Sequence, residues 1–316
     1  MAAPSVKTVG VIGTGVIGSS WTLFFLARGL KVIVTDPAPG ARERLEKYLI
    51  QEWPTMQRAG LHREASLANC RFVDNIFDHL KGIDVVQETG PERIDFKREL
   101  FAKLDAKARS DTLLLSSSSG IPSSQFVTDC KYNPGRVMIG HPFNPPHMVP
   151  LVEVVPHPGA KEPYITAAVE FYLSLGKKPI LVKKETPGFI ANRLQMALNN
   201  EAYSLVSRGI ISAAELDTCI TAGPGLRWST TGPFVTNILG GGGSFRHLVE
   251  HIGTAAQVWA EDMRKHAFDL NPETISILDA NVRETIGNVD MESLQRDRDH
   301  VLLDLIALKS QTPSFK

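Results

Sequence analysis

The amino-acid sequence predicts an α/β first half, built as a doubly wound and mainly parallel sheet, followed by an all-α second half. Three observations carry that prediction. Short β-branched runs alternate with amphipathic stretches through the first 184 residues. A glycine-rich turn joins the first run to the first amphipathic stretch. After Thr186-Pro187-Gly188 the strand signal disappears. Strands separated by helical patterns read as βαβ units, whose crossover connections make neighbouring strands parallel. Domains are therefore expected at residues 1–184 and 185–316, and a chain of 316 residues accommodates two of ordinary size.

In chain order, Thr8–Ile12 is predicted as a buried strand. Val16–Ala27 follows as a helix, with Ile17, Trp21, Phe24 and Phe25 near one face and Gly29 as its stop. Lys31–Thr35 is the second strand. Further strands are predicted at residues 84–87, 112–115, 136–139, 151–155 and 179–183. In the second half, helical periodicity covers residues 189–208, 214–222, 245–266 and 294–309, and the four glycines at 240–243 read as a flexible loop.

Composition narrows the function. Hydrophobic residues make up 43% and charged residues 22%, enough to build a large core and to exclude global disorder. Lys plus Arg and Asp plus Glu both number 34, so the chain has no electrostatic footprint for nucleic acid or an acidic membrane. The first 184 residues carry a net +5 and the remainder −5, a weak bias toward an anionic small ligand. Cys70, Cys130 and Cys219 lie far apart, without metal-ligand spacing, and read as reduced thiols. The longest apolar runs are too short to span a bilayer, and a strand starting near Lys7 leaves no room for a signal peptide. A cytoplasmic protein is expected.

Gly13-Thr14-Gly15-Val16-Ile17-Gly18 fits G-x-G-x-x-G, placed between a predicted strand and a predicted helix. Gly13 permits the tight turn, Gly15 lets backbone approach a pyrophosphate, and Gly18 lets helix pack closely on sheet. The N–H groups and positive dipole end of the helix favour the phosphates. Asp36 ends the second strand, where a carboxylate accepts hydrogen bonds from ribose hydroxyls and repels a 2′-phosphate. A Rossmann-type domain that binds NAD rather than NADP is the reading.

Four further segments complete the picture. An apolar strand ends in Ser116-Ser117-Ser118-Ser119-Gly120, at the carboxyl edge where open α/β sheets bind ligands. The strand from Arg136 runs up to His141, which Pro142-Phe143-Asn144-Pro145-Pro146 follows. A fixed imidazole there suits proton transfer in alcohol/ketone chemistry, although a histidine serves equally well as a hydrogen-bonded structural group. Glu153 sits inside the apolar run Leu151-Val152-Glu153-Val154-Val155. Either it lies on a solvent-facing edge or, being buried, it needs a partner, for which His141 is the candidate. Asn192 falls in the first turns of the helix that opens the second half, as a cleft-facing amide or an ordinary helix-surface residue.

Together these motifs resemble the L-3-hydroxyacyl-CoA dehydrogenase superfamily, in its λ-crystallin / L-gulonate 3-dehydrogenase branch, over about residues 9 to 232. The resemblance implies that His141 is the catalytic acid/base with Glu153 as its partner. It implies that Ser119 and Asn192 orient the substrate oxygen, with Ser118 the alternative hydroxyl. It places Asp36, Glu92, Lys97 and Asn144 at the cofactor, and it implies a homodimer formed through the second domain. Arg227, in a Gly-to-Gly-Pro stretch like that of this branch, is a candidate clamp for a free carboxylate or else a surface arginine. For the 3′-phosphate of CoA only Arg42, Arg44 and Lys47 offer themselves. The expected partner is thus a small hydroxy or oxo acid or a short acyl-CoA. A soluble NAD-binding structural protein of crystallin type is the reading from a different class.

Overall fold

A computed structural model describes residues 6–315. The chain divides into two compact units between Arg193 and Leu194. Among the described residues the first unit holds eight strands: β1 (Thr8–Ile12), β2 (Lys31–Thr35), β3 (Cys70–Phe72), β4 (Val85–Glu88), β5 (Leu113–Ser116), β6 (Val137–Pro142), β7 (Leu151–Pro156) and β8 (Lys178–Leu181). They form one sheet in the order β3-β2-β1-β4-β5-β6-β7-β8. Every neighbouring pair is parallel except β6 and β7, which run antiparallel.

Four helices belong to this unit: α1 (Val16–Ala27), α2 (Ala41–Ala59), α3 (Ile94–Lys107) and α4 (Glu162–Ser174). Alternate strand residues point to opposite faces, and the core accordingly falls into two layers. Val9, Val11, Val32, Val34, Val85, Leu113 and Leu115 pack with α1, α2 and α4. Val86, Leu114, Val137 and Ile139 pack with Leu100, Phe101 and Leu104 of α3. This is the doubly wound arrangement the sequence predicts. The run from Gly18 to Ala27 in α1 is wholly buried, because a helix apolar on all sides belongs inside the core. On α2 only Ala41, Leu45, Leu49 and Met56 are buried, a single stripe at helical spacing.

Two details of the sheet depart from the expectations. Strand β3 was not foreseen, since three residues on a sheet edge are too few to display an alternating pattern. Strand β6 continues through His141 to Pro142, so the histidine lies inside the ladder and not beyond it. The last residues of the first unit are tied back to it, since Ile190 and Ala191 donate their N–H groups to Glu153 and Asn192 reaches Ser119.

A buried polar network underlies β6. The Tyr172 hydroxyl donates to Gln87 Oε1 at 2.6 Å, and Gln87 Nε2 donates to Ser117 Oγ at 2.7 Å and to the Gly140 carbonyl at 3.2 Å. Trp21 Nε1 donates to the same serine at 3.2 Å. The network explains a glycine immediately before His141, since a Cβ there would stand 2.0 Å from the Tyr172 hydroxyl.

The second unit is helical: α5 (Ala191–Ser207, which begins in the last residues of the first unit), α6 (Ala213–Ala222), α7 (Pro224–Trp228), α8 (Pro233–Gly240), α9 (Phe245–Lys265), α10 (Pro272–Ile286) and α11 (Met291–Gln311). Helices α7, α8 and α10 were not foreseen, although Asn271 caps α10 with Pro272 at its first position. No residue of α9 is buried, and Phe245, Val249, Ile252, Trp259 and Met263 form an exposed apolar stripe on it.

Gly140→Ala is expected to destabilise the protein by about 2 kcal/mol, through overpacking and disruption of the Tyr172–Gln87 bond. Urea unfolding measures the loss, and an unchanged midpoint would contradict the role given to the network.

Candidate active site

The glycine turn lies between β1 and α1. Gly13 has φ +96°, a conformation that favours glycine, and its N–H donates to the Thr35 carbonyl at 2.8 Å. A Cβ on Gly18 would come within 2.0 Å of the Gly13 carbonyl oxygen. A Cβ on Gly15 would meet nothing within 4 Å, so the space in front of the turn is open. Helix α1 starts at Gly15 with no side-chain cap and no acid in its first turn. The orphan N–H groups of that turn therefore face the opening with the positive end of the helix dipole behind them.

Asp36, just past β2, faces the same turn. Its Oδ2 accepts the Thr14 N–H at 2.7 Å and the Thr14 hydroxyl at 2.8 Å, and its Oδ1 accepts the Ala38 N–H at 2.8 Å. Burial alone would raise its pKa. The Ala38 and Thr14 hydrogen bonds and the Arg44 charge outweigh that and hold it below the ordinary carboxylate value. About four lone-pair directions belong to a carboxylate, so acceptor capacity for a ribose hydroxyl remains. An open glycine, an uncapped helix start and an ionised acid beside them fit a nicotinamide dinucleotide.

His141 and Glu153 are direct partners across the antiparallel β6–β7 ladder. His141 Nδ1 meets Glu153 Oε2 at 2.7 Å, with side chains 5% and 0% exposed. The other oxygen, Oε1, accepts the N–H groups of Ile190 at 2.8 Å and Ala191 at 3.0 Å. Gly188 (φ +73°) and Phe189 (φ +49°) turn those two groups onto the carboxylate. A bulky residue in that region is strained by about 1–2 kcal/mol. Phe189 is fully buried, and its ring lies 5.5 Å from the imidazole between centroids. Burial would raise the Glu153 pKa. The His141 hydrogen bond, the Ala191 and Ile190 N–H groups and the His141 charge hold it below the usual value. Glu153 is thus a satisfied, ionised carboxylate. It fixes the imidazole, and no other described residue engages Nε2.

The serine corner has its own supports. Ser118 is buried, donates to Glu92 Oε1 at 2.5 Å and accepts the Ile121 N–H at 3.0 Å. Ser119 is exposed, and among the described residues its hydroxyl has no partner. Its carbonyl accepts Asn192 Nδ2 at 3.0 Å, which leaves the second amide proton of Asn192 available. Glu92 Oε1 also accepts the N–H groups of Ser119, Gly120 and Ile121 at 3.1, 3.1 and 3.3 Å. Between the two serines raised by the sequence, the structure ties up Ser118 and leaves Ser119 free.

Lys97 is 1% exposed and sits between carboxylates: Glu88 Oε1 at 3.0 Å, Glu88 Oε2 at 2.9 Å and Glu92 Oε2 at 3.4 Å. Its three donors are committed there, so of the pair expected at the cofactor only Glu92, whose side chain is 43% exposed, presents a surface. Glu88 was missed in the sequence. The one signal was an acid closing the run Val85-Val86-Gln87-Glu88, where an acid reads equally well as a surface residue. It also accepts the Ser116 hydroxyl and the Gly90 N–H, binding the ends of β4 and β5 together. Asn144 is exposed on the loop after β6, next to a cis peptide bond to Pro145. Arg227 lies in α7 of the helical unit, exposed and without an ion pair among the described residues.

Comparison with known proteins adds to this geometry. Residues 8–186 match the family model of the 3-hydroxyacyl-CoA dehydrogenase NAD-binding domain, and residues 188–268 match that of its C-terminal domain. A Gibberella moniliformis protein named 3-hydroxyacyl-CoA dehydrogenase is 49% identical over 98% of this chain and 97% of its own length. An L-carnitine dehydrogenase of Streptomyces griseus is 38% identical over 99% of this chain and 92% of its own. The crystal structure of 5-formyl-3-hydroxy-2-methylpyridine 4-carboxylic acid 5-dehydrogenase, an NAD+-dependent dismutase, superposes with a TM-score of 0.77 at 27% identity. It covers 96% of this chain and 98% of that one.

Two outcomes are expected from this geometry. Gly18→Ala should weaken NADH binding, read by fluorescence titration, by about tenfold or more, because the added methyl pushes the helix start off the turn. Glu153→Gln should cost about 2–3 kcal/mol at neutral pH. The sign follows from a folded-state pKa held below 4.5: the carboxylate's contribution is complete above 4.5 and is lost as pH falls through the folded value. Urea unfolding across pH should therefore show the gap between wild type and variant closing only on the acid side.

Proposed function

The chain belongs to the 3-hydroxyacyl-CoA dehydrogenase family and is an NAD-dependent oxidoreductase, and from that premise we propose that it interconverts a small free L-3-hydroxy acid, such as L-gulonate or a 3-hydroxybutyrate-like acid, and its 3-oxo acid. The observation that carries the reading is the His141–Glu153 pair, an imidazole oriented by a buried carboxylate in the same unit as the glycine turn. When bound, the nicotinamide supplies the hydride acceptor. His141 takes the hydroxyl proton at Nε2 while its Nδ1–H stays on Glu153, which stabilises the imidazolium that forms. The free hydroxyl of Ser119 and the unused amide proton of Asn192 donate to the substrate oxygen as its charge develops. Glu92 holds the backbone that carries Ser119, and Asp36 and Asn144 serve the cofactor.

Support for a free acid comes from two directions. Arg227 is exposed, and its guanidinium, without an ion pair among the described residues, is suited to a carboxylate. Carnitine and the pyridine carboxylic acid, named for two of the relatives, are themselves free acids. The name of the 49% identical relative favours the second reading, a short-chain 3-hydroxyacyl-CoA substrate. Against it, Arg42 and Arg44 each already donate to a backbone carbonyl, at Phe72 and Pro39. The apolar stripe on α9 supports a homodimer, since such a surface calls for a covering partner. A cytoplasmic location completes the proposal.

NADH formation with L-gulonate, 3-hydroxybutyrate and 3-hydroxybutyryl-CoA separates the readings: turnover of the thioester alone would refute the free-acid proposal. His141→Ala should lower kcat about 10²–10⁴-fold with NADH affinity unchanged, and a near-normal rate would remove His141 from proton transfer. Light scattering on a sizing column should return twice the chain mass of 34.6 kDa.

A further inference from the structure

Three buried cations stand out in the first unit. Lys97 lies against Glu88, and Arg136 lies against Asp105. Lys177, 3% exposed, has no carboxylate partner among the described residues. Its ammonium instead donates to the carbonyls of Pro146 and, at 2.9 Å, Val149. It lies 4.2 Å from the centre of the Phe24 ring and 5.1 Å from that of Trp21, both on α1. The Arg28 guanidinium lies over the same Phe24 ring at 5.2 Å. The Lys177 backbone N–H bonds to the Tyr172 carbonyl at 3.0 Å, which holds the residue at the end of α4.

The segment that Lys177 grips leaves the His141 strand and returns to the Glu153 strand. Residues 143–150 carry Asn144, and within them Met148 and Val149 donate their N–H groups to the Pro145 carbonyl at 3.0 Å each. Ser20 of α1 takes the His147 N–H at 2.9 Å. The segment is therefore anchored to the helix that begins at the glycine turn, through Ser20 and through the Lys177 side chain packed on Phe24 and Trp21.

We propose that Lys177 is a positioning residue for the dehydrogenase reaction: its side-chain amine, donating to the Pro146 and Val149 carbonyls and packed on the α1 rings, binds the loop of residues 143–150 to helix α1 and so sets the loop that joins the two strands bearing His141 and Glu153. Its catalytic consequence rests on the dehydrogenase reading above; its hold on the loop does not. Titratable groups on the surrounding elements include Arg28, which follows α1, Tyr48 of α2, Glu162, Tyr164, Glu170 and Tyr172 of α4, and His147 of the loop itself. Neither carboxylate of α4 pairs with Lys177. Burial, reinforced by the Arg28 charge, accordingly pushes Lys177 down from 10.5 to about 7. A loop that lifts returns the amine to water and to its ordinary pKa, so protonation favours the lifted form. Between about 7 and 10.5 the closed form binds fewer protons than the lifted one, and closure strengthens as pH rises through that window.

The test is amide hydrogen exchange of Met148 and Val149 in the full chain, corrected for the intrinsic pH dependence of exchange. Between about pH 6 and about pH 8, protection of these two amides should rise about tenfold in the wild type, while amides of the central strands should not follow. In Lys177→Met, which keeps the apolar stem and removes the donors to the Pro146 and Val149 carbonyls, protection should be low and flat across the same range. That variant should also lower kcat about tenfold, with the NADH dissociation constant within about twofold of wild type. Flat wild-type protection, or a variant that keeps the rise, overturns the proposal, and the wild-type arm decides even if the variant fails to fold. A loosened loop with unchanged kcat overturns the catalytic part. Exchange behaving as expected in a protein that oxidises none of the hydroxy substrates upholds the latch and rejects the dehydrogenase reading alone.

Discussion

A fully buried carboxylate cannot be left unpartnered, and Glu153 is the buried group around which the reacting end of the first unit is organised. An isolated ionised carboxylate in a protein interior costs several kcal/mol and is normally neutralised instead. Here the chain supplies three donors from two distant places: the His141 ring across the ladder, and the N–H groups of Ile190 and Ala191 from beyond β8. To deliver the latter, Gly188 and Phe189 adopt left-handed backbone. The strain at Phe189 is offset by burial of its ring against His141. The segment entering the helical unit is thus bound to the sheet by the same carboxylate that orients the imidazole.

Charge is handled differently at the two neighbouring structural points. Below the serine corner, Glu88, Lys97 and Glu92 form a chain of opposite charges. It runs from a strand interior to an exposed turn, and each buried member is satisfied by ions and backbone together. Below the proline-rich loop, Lys177 has only carbonyl oxygens and ring faces among the described residues. The first arrangement sets buried charge against opposite charge. The second is weaker, because carbonyls and π faces compensate a desolvated ammonium less completely than a carboxylate does.

Much of this was legible in the sequence, for reasons that differ by element. The glycine turn and Asp36 could be read because dinucleotide binding demands glycine at fixed offsets, and no other residue type meets the contacts now seen at Gly13 and Gly18. His141 and Glu153 could be paired because an acid in an apolar run is conspicuous. Their direct opposition could not be read, since nothing local announces that β6 and β7 run antiparallel. Glu88 escaped notice because it ends its run and passes for a surface residue. Ser118 and Ser119 were indistinguishable as letters; the hydrogen bonds of Glu92 separate them. Lys177 was illegible, because a lysine in a Gly-Lys-Lys turn looks solvated until α1 is laid across it. Strand β3 and helices α7, α8 and α10 are short or weakly patterned, and tertiary packing decides them.

The antiparallel ladder also sets where the chain tolerates changes in length. Side chains along a strand alternate sides, so a slip of one residue between β6 and β7 would exchange Glu153 for Val152 or Val154 opposite the imidazole. The eight residues between those strands form an exposed-to-buried loop whose ends, not whose contour, determine the pairing. Insertions that lengthen the loop while its two ends stay in register are therefore compatible with the charge pair, whereas a single deletion inside either strand is not. The spacing within β6 and β7 is therefore what the charge pair holds fixed.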